Sequence, residues 1–203
     1  GPTHHAVHDL ALMRVMPGMQ IWNPSDNTMI SSLVPRLLGD PGPKYVRLDK
    51  GPFPDLYADG QEDFSKGYAV LREGSDLMIV ATGLMVHRAL EVAESLIASG
   101  IDVGVTDLYR IKPVDQSGLF KKIGESKCVA TIEENSTVGG IGTIVAELMA
   151  EAGAGIRLRR FGVADAFRWV LGGREPLQSI DGLDADTLIK NLTSWAQDGA
   201  KVN

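Results

Sequence analysis

Residues 76–83 read Asp76-Leu77-Met78-Ile79-Val80-Ala81-Thr82-Gly83, an apolar run closed by a Thr-Gly pair. A short apolar run bounded by turn residues is typical of a fully buried strand. Residues 86–99 have the apolar spacing of an amphipathic helix and are followed by Gly100, a residue type common after helix ends. A second apolar run at 102–107 predicts another strand. A strand, a helix and a strand in this order predict a unit with two parallel strands.

The same alternation continues along the rest of the chain. We predict a helix at 113–123, a strand at 128–132, a helix opened by Gly139-Gly140-Ile141-Gly142, a strand at 157–161 and a helix at 184–197. Asp184 precedes the last helix and is its expected N-cap. Strands alternating with helices of this length predict a doubly wound α/β domain with a mostly parallel sheet.

The residues before this domain form a shorter unit of the same kind. We expect helices at 8–16 and 28–38, with strands at 19–22 and 45–48, and either Ser25 or Asp26 as the N-cap of the second helix. These elements are too few to close a core alone. A segment rich in proline, glycine and acidic residues follows at 51–67. We therefore divide the chain into two domains, 1–57 and 58–203.

Composition narrows the function classes. The 203 residues are 44% hydrophobic and carry a net charge of −6, which argues against nucleic acid or an anionic membrane as the main partner. No apolar run approaches the ~20 residues that span a bilayer. The single cysteine, Cys128, excludes an internal disulfide framework and favours a reducing cytoplasm.

The first candidate site is the stretch Gly1-Pro2-Thr3-His4-His5. Imidazole is suited to proton transfer near neutral pH, so His4 and His5 are candidate catalytic residues. A structural interpretation, in which one or both rings only bond the nearby backbone, stays open. A metal site is less favoured because a third ligand at a recognisable spacing is missing. Such a loop at the start of the chain leads us to expect an active site that this chain supplies only in part.

A second candidate is the basic pair in Tyr45-Val46-Arg47-Leu48-Asp49-Lys50-Gly51. Lys50 lies just past the predicted strand, at the edge where parallel sheets bind ligands. A guanidinium at Arg47 and an ammonium at Lys50 would suit a phosphate group. The alternative is a solvated strand end with a salt bridge to Asp49.

The third candidate is Glu133-Glu134-Asn135 with the glycines at 139–142. Glycines before a helix can let a phosphate approach the backbone amides. However, no Gly-Lys-Ser/Thr sequence follows, and carboxylates beside the loop would repel a phosphate. We favour a tight turn in which the carboxylates face a polar interface or cap neighbouring amides.

Taken in order, these segments resemble the carboxyl-terminal part of thiamine-diphosphate-dependent transketolase-family enzymes. The resemblance rests on Gly-Pro-Thr-His-His with the following helix, Trp22-Asn23-Pro24-Ser25-Asp26, the Arg47–Lys50 segment and Thr131-Ile132-Glu133-Glu134-Asn135. It covers nearly the whole chain. It implies the tail of a pyrimidine-binding α/β domain, followed by a doubly wound, mostly parallel transketolase carboxyl-terminal domain.

The resemblance also implies roles for particular residues. His4 would lie near the cofactor's reactive carbon and handle hydroxyl protons of the substrate. His5 replaces the glutamine of single-chain transketolases and is closer to 1-deoxyxylulose-5-phosphate synthases and two-subunit transketolases. Arg47 and Lys50 would hold the sugar phosphate, although Lys50 cannot form the bidentate fork of an arginine.

The implied reaction moves a two-carbon ketol unit between sugar phosphates, with thiamine diphosphate as the electron sink. The glutamate that activates the cofactor and the motif that binds its diphosphate and Mg²⁺ (or Ca²⁺) have no counterpart here. No cofactor-binding or metal residue is assigned to this chain. An amino-terminal partner, or another segment of the same protein, would supply those segments, in a homodimer or heterotetramer.

Three alternatives remain open: part of a 1-deoxy-D-xylulose-5-phosphate synthase, the beta subunit of a 2-oxoacid decarboxylating complex, and a non-catalytic assembly module. Release of carbon dioxide from pyruvate would distinguish the synthase from a transketolase. The stretch Arg168-Trp169-Val170-Leu171-Gly172-Gly173-Arg174 is expected to be a plain connection.

Overall fold

A computed structural model describes residues 6–51, 53–58, 64–167 and 169–198. The described residues form eight strands and seven helices. In chain order they are α1 (Asp9–Arg14), β1 (Gln20–Trp22), α2 (Asn27–Gly39), β2 (Lys44–Val46), β3 (Ala69–Arg72), β4 (Leu77–Ala81), α3 (Met85–Ala98), β5 (Val103–Asp107), β6 (Arg110–Lys112), α4 (Gln116–Gly124), β7 (Cys128–Ser136), α5 (Ile141–Glu151), β8 (Arg157–Val163), α6 (Arg174–Ile180) and α7 (Ala185–Asp198).

The larger sheet has five strands in the order β3-β5-β4-β7-β8. Strand β4, the apolar run at 77–81, lies at its centre and is fully buried. It pairs in parallel with β5 on one side and with β7 on the other. Strand β8 is parallel to β7, whereas β3 is antiparallel to β5. The prediction of a mostly parallel sheet is therefore confirmed.

Helices cover both faces of this sheet. On one face, α3 and α7 pack their apolar stripes against β4 and β5, in a cluster that includes Val86, Leu96, Leu188 and Leu192. On the other face, α1, α4 and α5 contribute Leu10, Leu119, Ile123 and Val145 to a second cluster. A sheet covered on both faces explains why its central strands are apolar throughout rather than alternating. The doubly wound architecture is confirmed.

The smaller sheet joins the two predicted parts of the chain. Strands β1 and β2 are parallel, as the sequence predicts. The third strand, β6, comes from after β5 and pairs antiparallel with β1. The next helix, predicted at 113–123, spans Gln116–Gly124 instead. It begins later because Asp115 is its N-cap, with a side chain that accepts from the amide of Gly118 at 3.1 Å.

The structure differs from the predicted elements in three further places: one strand is longer, and one strand and one helix have no predicted counterpart. Strand β7 continues to Ser136, so Glu133, Glu134 and Asn135 lie within it rather than after it. Strand β3 and helix α6 were not predicted, because β3 is a four-residue edge strand and α6 has only seven residues. The predicted N-caps are found: Asp26 accepts from the amide of Met29, and Asp184 from that of Thr187.

In the part of the chain that the structure describes, no helix is both long and apolar enough to cross a membrane.

Candidate active site

Arg47 lies directly after β2, where its backbone amide donates to the carbonyl of Trp22 at 2.9 Å. Its guanidinium donates to the backbone carbonyl of Glu134 at 3.1 Å. Carboxylate oxygens of Asp9, Asp49 and Glu134 lie 3.8, 3.9 and 3.9 Å from its terminal nitrogens. Only 12% of the Arg47 side chain is exposed. Arg47 is thus a fixed cation surrounded by acids from both parts of the chain.

Lys50 differs from Arg47 because its side chain lies at an open cleft. The residue is exposed, and among the described residues no hydrogen bond or ion pair engages its ammonium. The predicted salt bridge to Asp49 is made by Arg47 and not by Lys50, and Arg174 contacts the same carboxylate. Lys50 lines a cavity of about 310 Å³ together with Phe53, Met85, Arg88, Arg174 and Gln178.

Residues 7–9 are held against the end of β7. The amide of Ser136 donates to the carbonyl of Val7 at 2.6 Å. One carboxylate oxygen of Asp9 accepts from the side-chain amide of Asn135 at 2.8 Å, and the other accepts from the hydroxyl of Tyr45 at 2.6 Å. Burial and then the Asp9 carboxylate raise the pKa of Tyr45 to about 12, so this hydroxyl stays a donor.

The other end of α1 is held in a similar way. Arg14 donates to the carbonyl of Gly139 at 2.7 Å and pairs with Glu147 of α5 at 2.6 Å. Lys112 of β6 donates to the carbonyls of Arg14 and Met16. The helix that follows the predicted catalytic loop is therefore fixed at both ends by the larger domain. His4 and His5 themselves lie outside the described residues.

The Glu133 carboxylate closes the turn between β7 and α5. It accepts from the backbone amides of Ile141 and Gly142 at 2.8 and 2.9 Å. Burial raises the pKa of Glu133 to about 7, while these two amides lower it. A Cβ on Gly140 would overlap this carboxylate. The carboxylate occupies the place that a phosphate would take, so the interpretation that this turn caps its own amides is confirmed.

The acids around Arg47 do not fit a metal-bound diphosphate. Asp9, Asp49 and Glu134 each lie 3.8–3.9 Å from a guanidinium nitrogen of Arg47. A diphosphate placed beside them would be repelled by their negative charge. Within residues 6–51, 53–58, 64–167 and 169–198, no three His, Cys, Asp or Glu side chains are grouped so that they could hold a metal ion.

A buried acid that the sequence analysis did not single out lies at the end of β5. The Asp107 carboxylate accepts from the hydroxyls of Ser25 and Tyr57 at 2.6 and 2.9 Å through one oxygen. The other oxygen is buried without a hydrogen-bond partner among the described residues. Burial raises the pKa of Asp107 to about 7, although the two hydroxyls oppose the shift. The sequence feature that could have indicated Asp107 is its position as a charged residue at the end of a predicted buried strand.

Asp26 lies beside this cluster and ties the linker to α2. One of its oxygens caps α2 through the amide of Met29 at 2.7 Å. The other accepts from the amides of Leu56 and Tyr57 at 2.6 and 2.9 Å. The Asp26 carboxylate thus fixes Tyr57, which in turn donates to Asp107. The two buried acids join the first part of the chain to the second.

This arrangement defines a two-part α/β protein in which polar groups gather at the carboxyl ends of parallel strands, the usual place for ligands in open sheets. Residues 1–54 match the family described as "Transketolase, pyrimidine binding domain" and residues 67–188 match "Transketolase, C-terminal domain". The chain belongs to the transketolase family.

Several relatives are similar along nearly the whole chain. An apulose-4-phosphate transketolase subunit of Actinobacillus succinogenes is 35% identical, over 92% of this chain and 60% of the relative. The 6-deoxy-6-sulfo-D-fructose transketolase subunit SqwH of Clostridium sp. is 36% identical, over 94% and 58%. The 1-deoxy-D-xylulose-5-phosphate synthase 1 of Geobacter sulfurreducens is 34% identical, over 91% and 29%. The chain thus spans about three fifths of the two transketolase subunits.

Solved structures give the same picture. A split gene transketolase, described as an inactive beta4 tetramer, has a TM-score of 0.84 and 36% identity, over 98% of this chain and 63% of the other. A transketolase mutant from Pichia Stipitis has a TM-score of 0.75 at 22% identity, over 98% and 28%. At that identity the second likeness supports the fold alone.

Proposed function

We propose that this chain is the carboxyl-terminal portion of a transketolase-type transferase, which moves a two-carbon ketol unit between sugar phosphates. The observation that supports this most directly is the position of Lys50. It lines the cavity, with no partner for its ammonium among the described residues, whereas the neighbouring cation, Arg47, is held by three carboxylates. A cation that is anchored through its backbone and available at its tip suits a phosphate group that enters and leaves.

In this proposal the chain supplies one wall of the substrate site. Lys50 contacts the phosphate of the sugar, and Arg47, also assigned to the phosphate, offsets the negative charge of the three acids around it. His4 takes and returns protons of the substrate hydroxyls, and His5 is the second catalytic candidate in the same loop. Asp9 and Asn135 hold α1, on which that loop depends. The domains are divided at 57 and 58, between the two family matches at 1–54 and 67–188.

Members of this family use thiamine diphosphate, which supplies the electron sink for ketol transfer when it is bound. We propose that it is held with Mg²⁺ or Ca²⁺ by segments that this chain does not carry. Two relatives are named as subunits, which supports an amino-terminal partner for this chain as well. We further propose a homodimer or heterotetramer, substrates that include pentose phosphates, and a cytoplasmic location in keeping with the single cysteine.

A second candidate function is synthesis of 1-deoxyxylulose 5-phosphate. The 34% identity to the synthase from Geobacter sulfurreducens favours it. The two candidates differ in the donor, because only the synthase uses pyruvate and releases carbon dioxide. The donor therefore distinguishes them.

The deciding experiment measures ketol transfer with this chain alone and then with an amino-terminal partner carrying the cofactor-binding segments. We expect transfer only with the partner and no carbon dioxide from pyruvate. Carbon dioxide release together with formation of 1-deoxyxylulose 5-phosphate from pyruvate and glyceraldehyde phosphate would replace the transketolase assignment by the synthase. The absence of any turnover in both mixtures, together with tight self-association, would favour a non-catalytic assembly module instead.

A further inference from the structure

Helix α6 begins with a side chain that lies against the segment at 47–50. The guanidinium of Arg174 donates to Asp49 Oδ1 at 2.9 Å and to the backbone carbonyl of Lys50 at 3.3 Å. Its Nε lies 3.2 Å from Glu134 Oε1. A single side chain of the larger domain therefore contacts the Asp49 side chain, the Lys50 backbone and β7 at once.

Arg174 and Arg47 share the same two acids. Asp49 Oδ1 lies 3.9 Å from Arg47 as well, and Glu134 presents its other oxygen, Oε2, to Arg47 at 3.9 Å. Gln178, one turn further along α6, donates to Glu134 at 3.0 Å. The two acids are largely buried, with 9% of the Asp49 side chain and 15% of the Glu134 side chain exposed. Charge-assisted hydrogen bonds of this kind are stronger than neutral ones, so the network is a firm anchor.

After Arg47, whose backbone amide donates to Trp22, no described backbone–backbone hydrogen bond holds the segment at 48–50. The amide of Leu84 donates to Asp49 Oδ2 at 3.2 Å, and Arg174 supplies the charged contacts to the other oxygen of Asp49 and to the Lys50 carbonyl. Strand β2 ends at Val46, three residues before Asp49. Gly51 follows Lys50 with φ at +152°, in the region that glycine alone enters easily. A lysine stem is also flexible. Without a fixed backbone, the Lys50 ammonium would spread over many positions around the cavity.

We propose that Arg174 is a positioning residue that fixes Lys50 at the mouth of the 310 Å³ cavity and thereby sets the preference for phosphorylated over free sugars. This proposal rests on the proposed function, since it assigns Lys50 to the phosphate. It also gives a role to the end of the stretch at 168–174, which the sequence presents as a plain connection.

The test compares Arg174→Ala with Arg159→Ala in the chain assembled with its amino-terminal partner. Arg159 is the matched control because it is partly buried, as Arg174 is, but donates to Asn191 of α7 at 3.3 Å and does not line the cavity. None of the described hydrogen bonds of Arg159 reaches the segment at 47–50. The acceptors are ribose 5-phosphate and ribose.

We expect Arg174→Ala to raise the KM for ribose 5-phosphate by roughly tenfold, since one charge-assisted anchor is lost, while kcat and the KM for ribose change little. Arg159→Ala should leave both KM values nearly unchanged. Arg174→Lys should recover part of the loss, because an ammonium keeps the charge without the fork. Equal effects of Arg174→Ala on both acceptors, or no effect on either, would overturn the proposal. If the alanine variant does not fold, Arg174→Lys and Arg174→Gln give the same comparison.

A second measurement does not require turnover. Lysine acylation is followed by mass spectrometry in the assembled protein, with and without ribose 5-phosphate. Protection of Lys50 that is present in the unaltered protein, reduced in Arg174→Ala and kept in Arg159→Ala supports the proposal even if no ketol transfer is found. Protection that survives Arg174→Ala rejects the role of Arg174, and no protection in the unaltered protein removes the phosphate role of Lys50 and the proposal with it.

Discussion

Asn135 donates its side-chain amide to the carboxylate of Asp9 at 2.8 Å and so joins β7 of the larger domain to the first residue of α1. Asn135 is fully buried. The backbone bond from Ser136 to Val7 lies beside it, at 2.6 Å. The end of β7 therefore holds the chain just after the predicted catalytic loop. The larger domain, which carries no predicted catalytic residue, fixes residues 7–9, which follow the predicted catalytic loop in the sequence.

The first prediction concerns this contact. Asn135→Asp replaces the donor by a carboxylate next to Asp9, so a hydrogen bond is lost and two like charges meet. We expect the free energy of unfolding to fall by about 2–4 kcal/mol, as for an unpaired buried charge. Turnover with the partner should fall as well, because α1 is loosened. Urea unfolding and ketol transfer measure the two effects.

Asn191→Asp is the control for this variant. Asn191 lies on α7, where its side chain donates to the carbonyl of Thr187 at 2.9 Å. Helix α7 covers the opposite face of the larger sheet from α1, and the residue is partly exposed. Its replacement should change turnover little. A comparable loss of turnover in both variants would show that Asn135 has no special link to the catalytic loop.

The second prediction concerns the glycine beside Glu133. Gly140 has φ at −78°, so an alanine there meets no backbone strain, but its Cβ would overlap the Glu133 carboxylate. The carboxylate would have to leave the amides of Ile141 and Gly142. We expect Gly140→Ala to lower the free energy of unfolding by about 1–3 kcal/mol, as other overpacked sites do. The midpoint of urea unfolding measures it.

Gly155→Ala provides the matched substitution, because nothing lies within 4 Å of the added Cβ and no positive φ is involved. Its unfolding midpoint should stay near that of the unaltered chain. Equal midpoints for the two alanine variants would contradict the described contact between Gly140 and Glu133.

The third prediction is a pH dependence of stability from Asp107. Its folded pKa of about 7 lies above the ordinary value of 3.8, so the folded chain binds the proton more tightly than the unfolded chain does. Stability should therefore fall as the pH rises from about 4 to 7, by about 4 kcal/mol from this group at most, and level off above that interval. The buried Glu133, with a pKa of about 7, adds a slope of the same sign.

Asp107→Asn should remove a large part of that slope. An amide oxygen can still accept from Ser25 and Tyr57, and the amide nitrogen would replace the oxygen that has no partner among the described residues. Thermal unfolding at a series of pH values measures the slope. Glu94→Gln on the exposed face of α3 is the control and should keep it. An unchanged slope in Asp107→Asn would mean that this carboxyl titrates normally.

The sequence predicted the parts of the fold that depend on local pattern. The buried run of β4, the amphipathic spacing of α3 and the capping acids Asp26 and Asp184 act within a few residues, so they can be recognised without knowing the fold. Strands β3 and β6 were not predicted, because they are short and the strands with which they pair are far away in the sequence. Their hydrogen bonds, rather than their composition, make them strands.

The candidate site shows the same limit more sharply. Arg47 and Lys50 were identified from residue type and position at a strand end. Their different surroundings depend on acids from elsewhere: Glu134 is 87 positions away from Arg47, and Arg174 is 125 positions away from Asp49. No local pattern could have linked them. The same holds for Asp107, whose partners Ser25 and Tyr57 are 82 and 50 positions away.

The fourth prediction concerns proton transfer by the loop at the start of the chain. His4→Ala should lower turnover with the partner by roughly 10²–10⁴ if the imidazole transfers protons in the rate-limiting step. The KM for ribose 5-phosphate should change much less, because the imidazole is not the group assigned to the phosphate. Steady-state kinetics in the assembled protein measure both constants. A full rate in His4→Ala would leave that ring a structural role.

The last prediction separates the two cations near the proposed phosphate site. Lys50→Ala should raise the KM for ribose 5-phosphate more than for ribose, because only the phosphorylated sugar gains from its ammonium. Its unfolding midpoint should stay near that of the unaltered chain, since no described side chain pairs with that ammonium. Arg47→Ala should instead lower stability as well as affinity, because three carboxylates lose the cation that they surround. Kinetics with both sugars and urea unfolding measure the difference. Equal KM changes for the two sugars in Lys50→Ala would contradict the assignment of Lys50 to the phosphate. An unchanged unfolding midpoint in Arg47→Ala would show that the folded arrangement of the surrounding acids does not depend on the charge of Arg47.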